Sequence, residues 1–334
     1  MRNFIYITIK IKMGMKMSKR IEWIDIAKGI LIILVVLGHS EISGVTASVI
    51  NSFHMATFFF LAGMTIKLNE NKNLFIAKRL KGLIMPYIVL AFIFLGYQFM
   101  KYKIIGGGYK FDLKSGLLSI FIPVSGRIST TVYGLWFLPC LFLANIAVYG
   151  LEYLYRSKKQ LALFSYIVGS AGCIIFYEIT GIASILSILP FAVLWLLCGV
   201  KAKGKLDKIK LYSTQIIIVM GILFVIFVGM NYRISHVRFD LSSMTMGVWP
   251  LYILSGLAGT FFTICISIQL EKMKILAKIG KDSLLYYGLH FEVLGVIDKV
   301  VNIGIFQMVI TIFILWWIIL VYNKIKKKIH SELL

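Results

Sequence analysis

The amino-acid sequence predicts an all-α, polytopic membrane protein with about ten transmembrane helices, and three observations carry that expectation. Hydrophobic residues fill 59% of the 334 positions, where a soluble domain carries about 45–50%, and the mean hydropathy is +0.88. Uncharged apolar runs of roughly 17–25 residues, the length needed to span a hydrocarbon core, recur along the whole chain. Lysine and arginine fall in short clusters in every second connection between those runs, which is the positive-inside pattern. The formal charge of +22 is therefore a topological signal. It does not point to nucleic acid, because no nucleic-acid-binding motif accompanies it.

Residues 1–19, MRNFIYITIKIKMGMKMSK, have an apolar centre too short to span and no small-residue cleavage site. They read as a basic N-terminal segment, with Met13, Met15 and Met17 as alternative starts. The predicted spans then follow in order. The first covers 24–41 and the second 46–66, followed by the basic stretch with Lys67, Lys72, Lys78, Arg79 and Lys81. The third covers 83–100, starting near Pro86. A long connection over 101–131 contains a short apolar piece, LLSIFIPV, read as interfacial or re-entrant.

The fourth span is 132–150, with Arg156, Lys158 and Lys159 after it. The fifth and sixth, 161–177 and 182–200, meet at a tight turn over Glu178–Gly181. Five lysines between Lys201 and Lys210 precede the seventh span, 212–230. The eighth is 245–268, the ninth 283–302 and the tenth 304–322, with a basic tail over 324–334. Both termini and all the lysine-rich loops fall on the cytoplasmic side in this arrangement. The 101–131 connection is an exception, being basic yet placed outside. Residues 20–323 thus form one membrane domain, with the lipid bilayer as its solvent.

Ionisable groups inside a span are costly and read as functional. In Ile24–Ser40, IDIAKGILIILVVLGHS, Lys28 and His39 are eleven residues apart, so they share a helix face with Asp25, Ile32, Val35 and Val36. The two polar ends are about 16 Å apart at roughly 1.5 Å per residue. Asp25, Lys28 and His39 are the catalytic candidates. A histidine in a dry cavity is a suitable general base for a hydroxyl nucleophile. A short loop joins the first two spans, which brings His54 towards the layer of His39.

Trp136 reads as a belt aromatic from its type and as a cavity candidate from its place. Arg233, His236, Arg238 and Asp240 form an outer cluster, either a solvated loop or a site for an anionic sugar or carboxylate. Ser283, Tyr286 and His290 follow at helical spacing and share one face. No metal is expected, since two histidines without a third ligand make a poor zinc site. Cys140, Cys173, Cys198 and Cys265 all lie within apolar spans and read as small core residues.

The set Arg20, Asp25, Lys28, Gly29, His39 and Ser40, in the pattern R-x4-D-x2-K-G-x9-H-S, resembles the opening of the acyltransferase-3 family of integral membrane O-acyltransferases. Lysine stands at position 28 where many members have arginine. FHMATFFFLAGM (Phe53–Met64), GLWFLPCLF (Gly134–Phe142) and IGKDSLLYYGLH (Ile279–His290) resemble later family elements and come in the family's order. The resemblance implies transfer of an acyl group, usually acetyl, from cytoplasmic acetyl-CoA to a hydroxyl of a cell-surface or lipid-linked glycan. Acetyl-CoA would then be a co-substrate, with no bound cofactor.

On that reading Arg20, Lys28, Lys78 and Arg79 hold the CoA phosphates, with lysine making a point-charge contact where arginine would be bidentate. His39 acts as general base or acyl carrier. His54, Trp136, Arg233, Arg238, Ser283, Tyr286 and His290 surround the acceptor. The expected location is a bacterial cytoplasmic (inner) membrane. The competing class is a transporter or flippase for a glycan or small anion, although no two halves show the matched interrupted spans of an inverted repeat.

Overall fold

The computed structural model describes residues 21–105, 111–121 and 133–332. Arg20, the 1–19 segment and the end of LLSIFIPV lie outside them. The described residues form helices joined by turns and loops, with an isolated bridge pairing Asp240 and Thr245. In chain order the α-helices are α1 (Glu22–Gly38), α2 (Gly44–Asn51), α3 (His54–Thr65), α4 (Lys72–Arg79) and α5 (Met85–Ile105). There follow α6 (Leu113–Phe121), α7 (Phe137–Ser157), α8 (Lys159–Thr180), α9 (Ile185–Lys203) and α10 (Leu206–Leu211). The chain ends with α11 (Ser213–Ser235), α12 (Trp249–Gln269), α13 (Lys274–Lys281), α14 (Ser283–Ile297) and α15 (Gly304–Glu332).

Each of the ten predicted spans falls on helix. Among the described residues eight helical stretches are long and apolar enough to cross a membrane. The first and ninth predicted spans are occupied by shorter helices, α1 of 17 residues and α14 of 15. The chain is an all-α polytopic membrane protein.

Four departures from the predicted spans have local causes. The second span is broken between α2 and α3, yet its freed backbone acceptors are satisfied, as the hydrocarbon region demands. Ser52 Oγ donates to the Val49 carbonyl at 2.7 Å, His54 Nδ1 reaches the Ile50 carbonyl at 2.8 Å and Tyr252 donates to Asn51 O at 2.8 Å. The basic stretch before the third span is not a loop. It is α4, capped by Asn71, whose side chain accepts from Asn73 N at 2.9 Å. A π-turn over Leu80–Ile84 then leads into α5. Its wider hydrogen-bond spacing lies just ahead of Pro86, which has no N–H to donate. At the eighth predicted span the helix, α12, starts only at Trp249, because residues 240–245 are held in a bridged turn. The basic tail continues α15 to Glu332 as helix.

The hydrophobic effect does not drive helices together inside lipid, so close backbone approach through small residues has to supply the contact. Two crossings do so. In the α3–α9 pair, a Cβ on Gly63 would overlap the Leu196 carbonyl, and one on Gly199 the Phe60 carbonyl. In the α1–α13 pair, a Cβ on Gly29 would overlap Leu276 O, and one on Gly280 would overlap Asp25 O. Helix α13, KILAKIGK, is a basic amphipathic segment that crosses α1 at its Lys28 end. Burial separates centre from rim: 67% of the Gly44–Thr65 window is buried, against 6% for α8. The outward apolar side chains of α8 and α11, such as Phe164, Ile167, Ile218 and Val225, face lipid.

The α1–α13 crossing yields a direct test. Gly280→Ala must push two backbones apart and should destabilise the protein by about 1–3 kcal/mol, seen as a lower melting temperature in detergent. Gly172→Ala, on an open face of α8, should leave the melting temperature unchanged or raise it slightly.

Candidate active site

Helix α1 ends where its orphan carbonyls find partners. His39 N donates to Val35 O at 3.2 Å, Ser40 Oγ to Val36 O at 2.9 Å and Ser40 N to Leu37 O at 3.1 Å. Arg238 Nη2 donates to Gly38 O at 3.2 Å, placing a cation at the negative end of the helix. The backbone at His39 is thereby held, while its ring stays exposed in a cavity of about 380 Å³.

That cavity is also lined by Asn51, His54, Trp136, Arg238, Asp240, Ser242 and Ser243. The rim is a tight turn in which Asp240 and Thr245 exchange backbone hydrogen bonds at 2.8 and 2.9 Å, and Ser242 N donates to Asp240 Oδ1 at 2.9 Å. A carboxylate, an arginine and several hydroxyls at one mouth suit a polyhydroxylated ligand.

Three histidines gather at this end. The His39 ring centroid lies 5.4 Å from that of His290 and 4.5 Å from that of Phe291. His290 is fully buried, its Nδ1 lies 2.7 Å from Tyr287 O and its Nε2 has no hydrogen-bond partner. Facing a carbonyl, Nδ1 of both His54 and His290 must carry the proton, which leaves each Nε2 as an acceptor in the neutral ring. Among the described residues no group of three His, Cys, Asp or Glu side chains is arranged to hold a metal ion.

A second cavity of about 310 Å³ lies towards the other end of α1. Lys28, Arg79 and Lys281 supply its positive charge, with Thr65 and Ser283 as polar neighbours. The Arg79 guanidinium also stacks over Phe75 at 5.1 Å. Val35, Met55 and Tyr287 line both cavities and form the wall between them. Tyr287 donates a short hydrogen bond to Gly134 O and accepts one from Phe137 N at 3.2 Å. Gly134 packs so closely on the Phe291 ring that a Cβ would collide with it.

A family model described as an acyltransferase domain matches residues 21–322. The chain belongs to the acyltransferase-3 family. Comparison with curated proteins and with solved structures gave no match.

In this acyltransferase the predicted residues sort themselves clearly. Lys28 and His39 line opposite cavities on one side of α1, with Val35 between them. His54, Trp136 and Arg238 join His39, while Arg79 and Ser283 join Lys28. His290 sits behind His39 as a buried neighbour. Asp25 is buried under the α13 crossing and lines neither cavity.

Lys78 does not line the Lys28 cavity and pairs with Glu70 at 2.6 Å. Arg233 is exposed and lines neither cavity, as α11 ends one turn before the segment that reaches Arg238. Tyr286 is a core residue, packed with Ile32, Val35 and Leu315. Its neighbour Tyr287 takes the cavity position, because the lining face of α14 runs Ser283, Tyr287, Phe291. The same i, i+4 spacing was available in the sequence and picks this face equally well. Met55, Asn51 and Lys281 were also missed. Lys281 ends a short helix, α13, that reads as a loop, and Met55 and Asn51 flank an unforeseen break.

Tyr287→Phe removes the partner of both Gly134 O and Phe137 N. The expected loss is about 1–3 kcal/mol, measurable as a lowered melting temperature of the purified protein.

Proposed function

We propose that this acyltransferase moves a short acyl group, acetyl in the simplest case, from cytoplasmic acyl-CoA to a hydroxyl of a cell-surface or lipid-linked glycan, in the cytoplasmic membrane of a bacterium. One observation carries the reading. A cationic cavity and a histidine cavity lie on the same side of α1 and share a wall. The lysine-rich connections at the Lys28 end orient that end, and both termini, to the cytoplasm.

The inner cavity then receives the donor, with Lys28, Arg79 and Lys281 near the CoA phosphates and the thioester arm directed along α1. The outer cavity receives the acceptor, with Asp240, Ser242 and Arg238 available to its hydroxyls. His39 takes the proton of the acceptor hydroxyl as its oxygen attacks the thioester carbonyl carbon. The C–S bond breaks, CoA leaves as a thiolate that takes a proton from water at the inner face, and the acceptor carries the new ester. His290 stands behind His39, and its buried Nε2 lone pair favours the ring orientation that keeps a His39 N–H towards it.

The test is retention of radiolabel from acetyl-CoA by membranes containing the protein. His39→Ala should cut transfer by about 10²–10⁴-fold, the usual worth of a general base. Lys28→Ala should raise KM for acetyl-CoA more than it lowers kcat, the mark of lost donor binding. Wild-type membranes that neither bind nor consume acetyl-CoA would refute the donor assignment, and uptake of an intact glycan would favour transport.

A further inference from the structure

The wall between the two cavities has the composition of a selectivity element, and this inference rests on the acyl-transfer reading above. Val35, Met55 and Tyr287 line both cavities, so an acyl group offered from the inner side to His39 has to be accommodated among them. Two of the three are rigid. Val35 is β-branched, 3% exposed and seated on α1. Tyr287 is tied to Gly134 O and Phe137 N. Met55 is 7% exposed and sits in the first turn of α3, beside the break in the second span. Its unbranched thioether is the one member that can change shape.

The wall is also devoid of charge. Val35 and Met55 are apolar, and the Tyr287 hydroxyl already donates once and accepts once. The cations of the inner cavity (Lys28, Arg79, Lys281) and Arg238 of the outer one stand on either side of it. An acyl group ending in a carboxylate would lose its water there without gaining a partner, which is strongly unfavourable.

We propose that Met55 is the acyl-length determinant of this enzyme, and that its wall admits short, uncharged acyl groups and rejects dicarboxylic ones such as succinyl. One methylene in an apolar pocket discriminates by about tenfold or more, so the side chain at position 55 sets where the series of chain lengths is cut.

The experiment uses inside-out membrane vesicles that contain the enzyme and its own acceptor. They receive radiolabelled acetyl-, propionyl-, butyryl- or succinyl-CoA, and alkali-labile label retained after washing is read. Wild type should transfer succinyl at under about a hundredth of the acetyl rate. Met55→Ala should raise the butyryl-to-acetyl ratio about tenfold or more, and Met55→Phe should lower the propionyl-to-acetyl ratio by a similar factor. Ratios unchanged within twofold in variants that still transfer acetyl, or succinyl transfer near the acetyl rate in wild type, would overturn the proposal. The wild-type panel needs no substitution, so a variant that fails to fold does not spare the proposal. If wild type retains label from none of the four donors, the acyl-transfer reading itself falls, and the length determinant with it.

Discussion

Two backbones meet almost without intervening side chains where α13 crosses α1 at Gly29 and Gly280. Much of the inner half of the site follows from that contact. A bilayer offers helices no hydrophobic reward for association, so α1 can be held only by packing and by polar links at its ends. The crossing buries Asp25 and leads from α13 into α14, with Lys281 and Ser283 at the inner cavity. From Ser283 the helix rises along α1 and delivers Tyr287 to the wall and His290 to the side of His39. At the far end the Arg238–Gly38 hydrogen bond does the complementary task, joining the 236–248 segment to the last turn of α1. One helix is pinned at both ends, and the two cavities are what remains open along its side.

The sequence discloses periodicity well and packing poorly. Lys28 and His39 fall on one face because eleven residues make just over three full turns, and the structure places both at cavities beside Val35. Tyr286 and Tyr287 illustrate the limit. Ser283–Tyr286–His290 and Ser283–Tyr287–Phe291 both obey helical spacing, and only the neighbours of α14 decide which face meets the core. The break between α2 and α3 was hidden for another reason. Its polar links come from Tyr252, two hundred residues away, and from His54 itself, inside a run apolar enough to read as one helix. Helix α13 was hidden because its lysines read as a loop, while its Ile and Leu positions were too few to look like a span.

The family elements, scattered along the chain, acquire a common meaning in space. Gly134 supplies both the carbonyl that holds Tyr287 and the bare surface on which Phe291 lies. Phe291 in turn contacts the rings of His39 and His290. Residues from the fourth and ninth predicted spans therefore form one contiguous support for a single histidine of the first. A glycine in that role is legible only once its neighbour is known, because its value lies in what it does not fill.

The neutral wall of Val35, Met55 and Tyr287 also has an electrical consequence. With water in both cavities, the insulating path would be shortened and the membrane potential would fall mainly across the thin layer that separates them. A charge carried through that layer exchanges about 2.3 kcal/mol with the potential for every 100 mV. An uncharged acyl group exchanges nothing as it passes, but on the proposed route the hydroxyl proton is left on the His39 side while the leaving thiolate is protonated from the Lys28 side. On that route each turnover therefore moves one unit of charge across the layer, and acyl transfer is coupled to the membrane potential at the step that expels the thiolate.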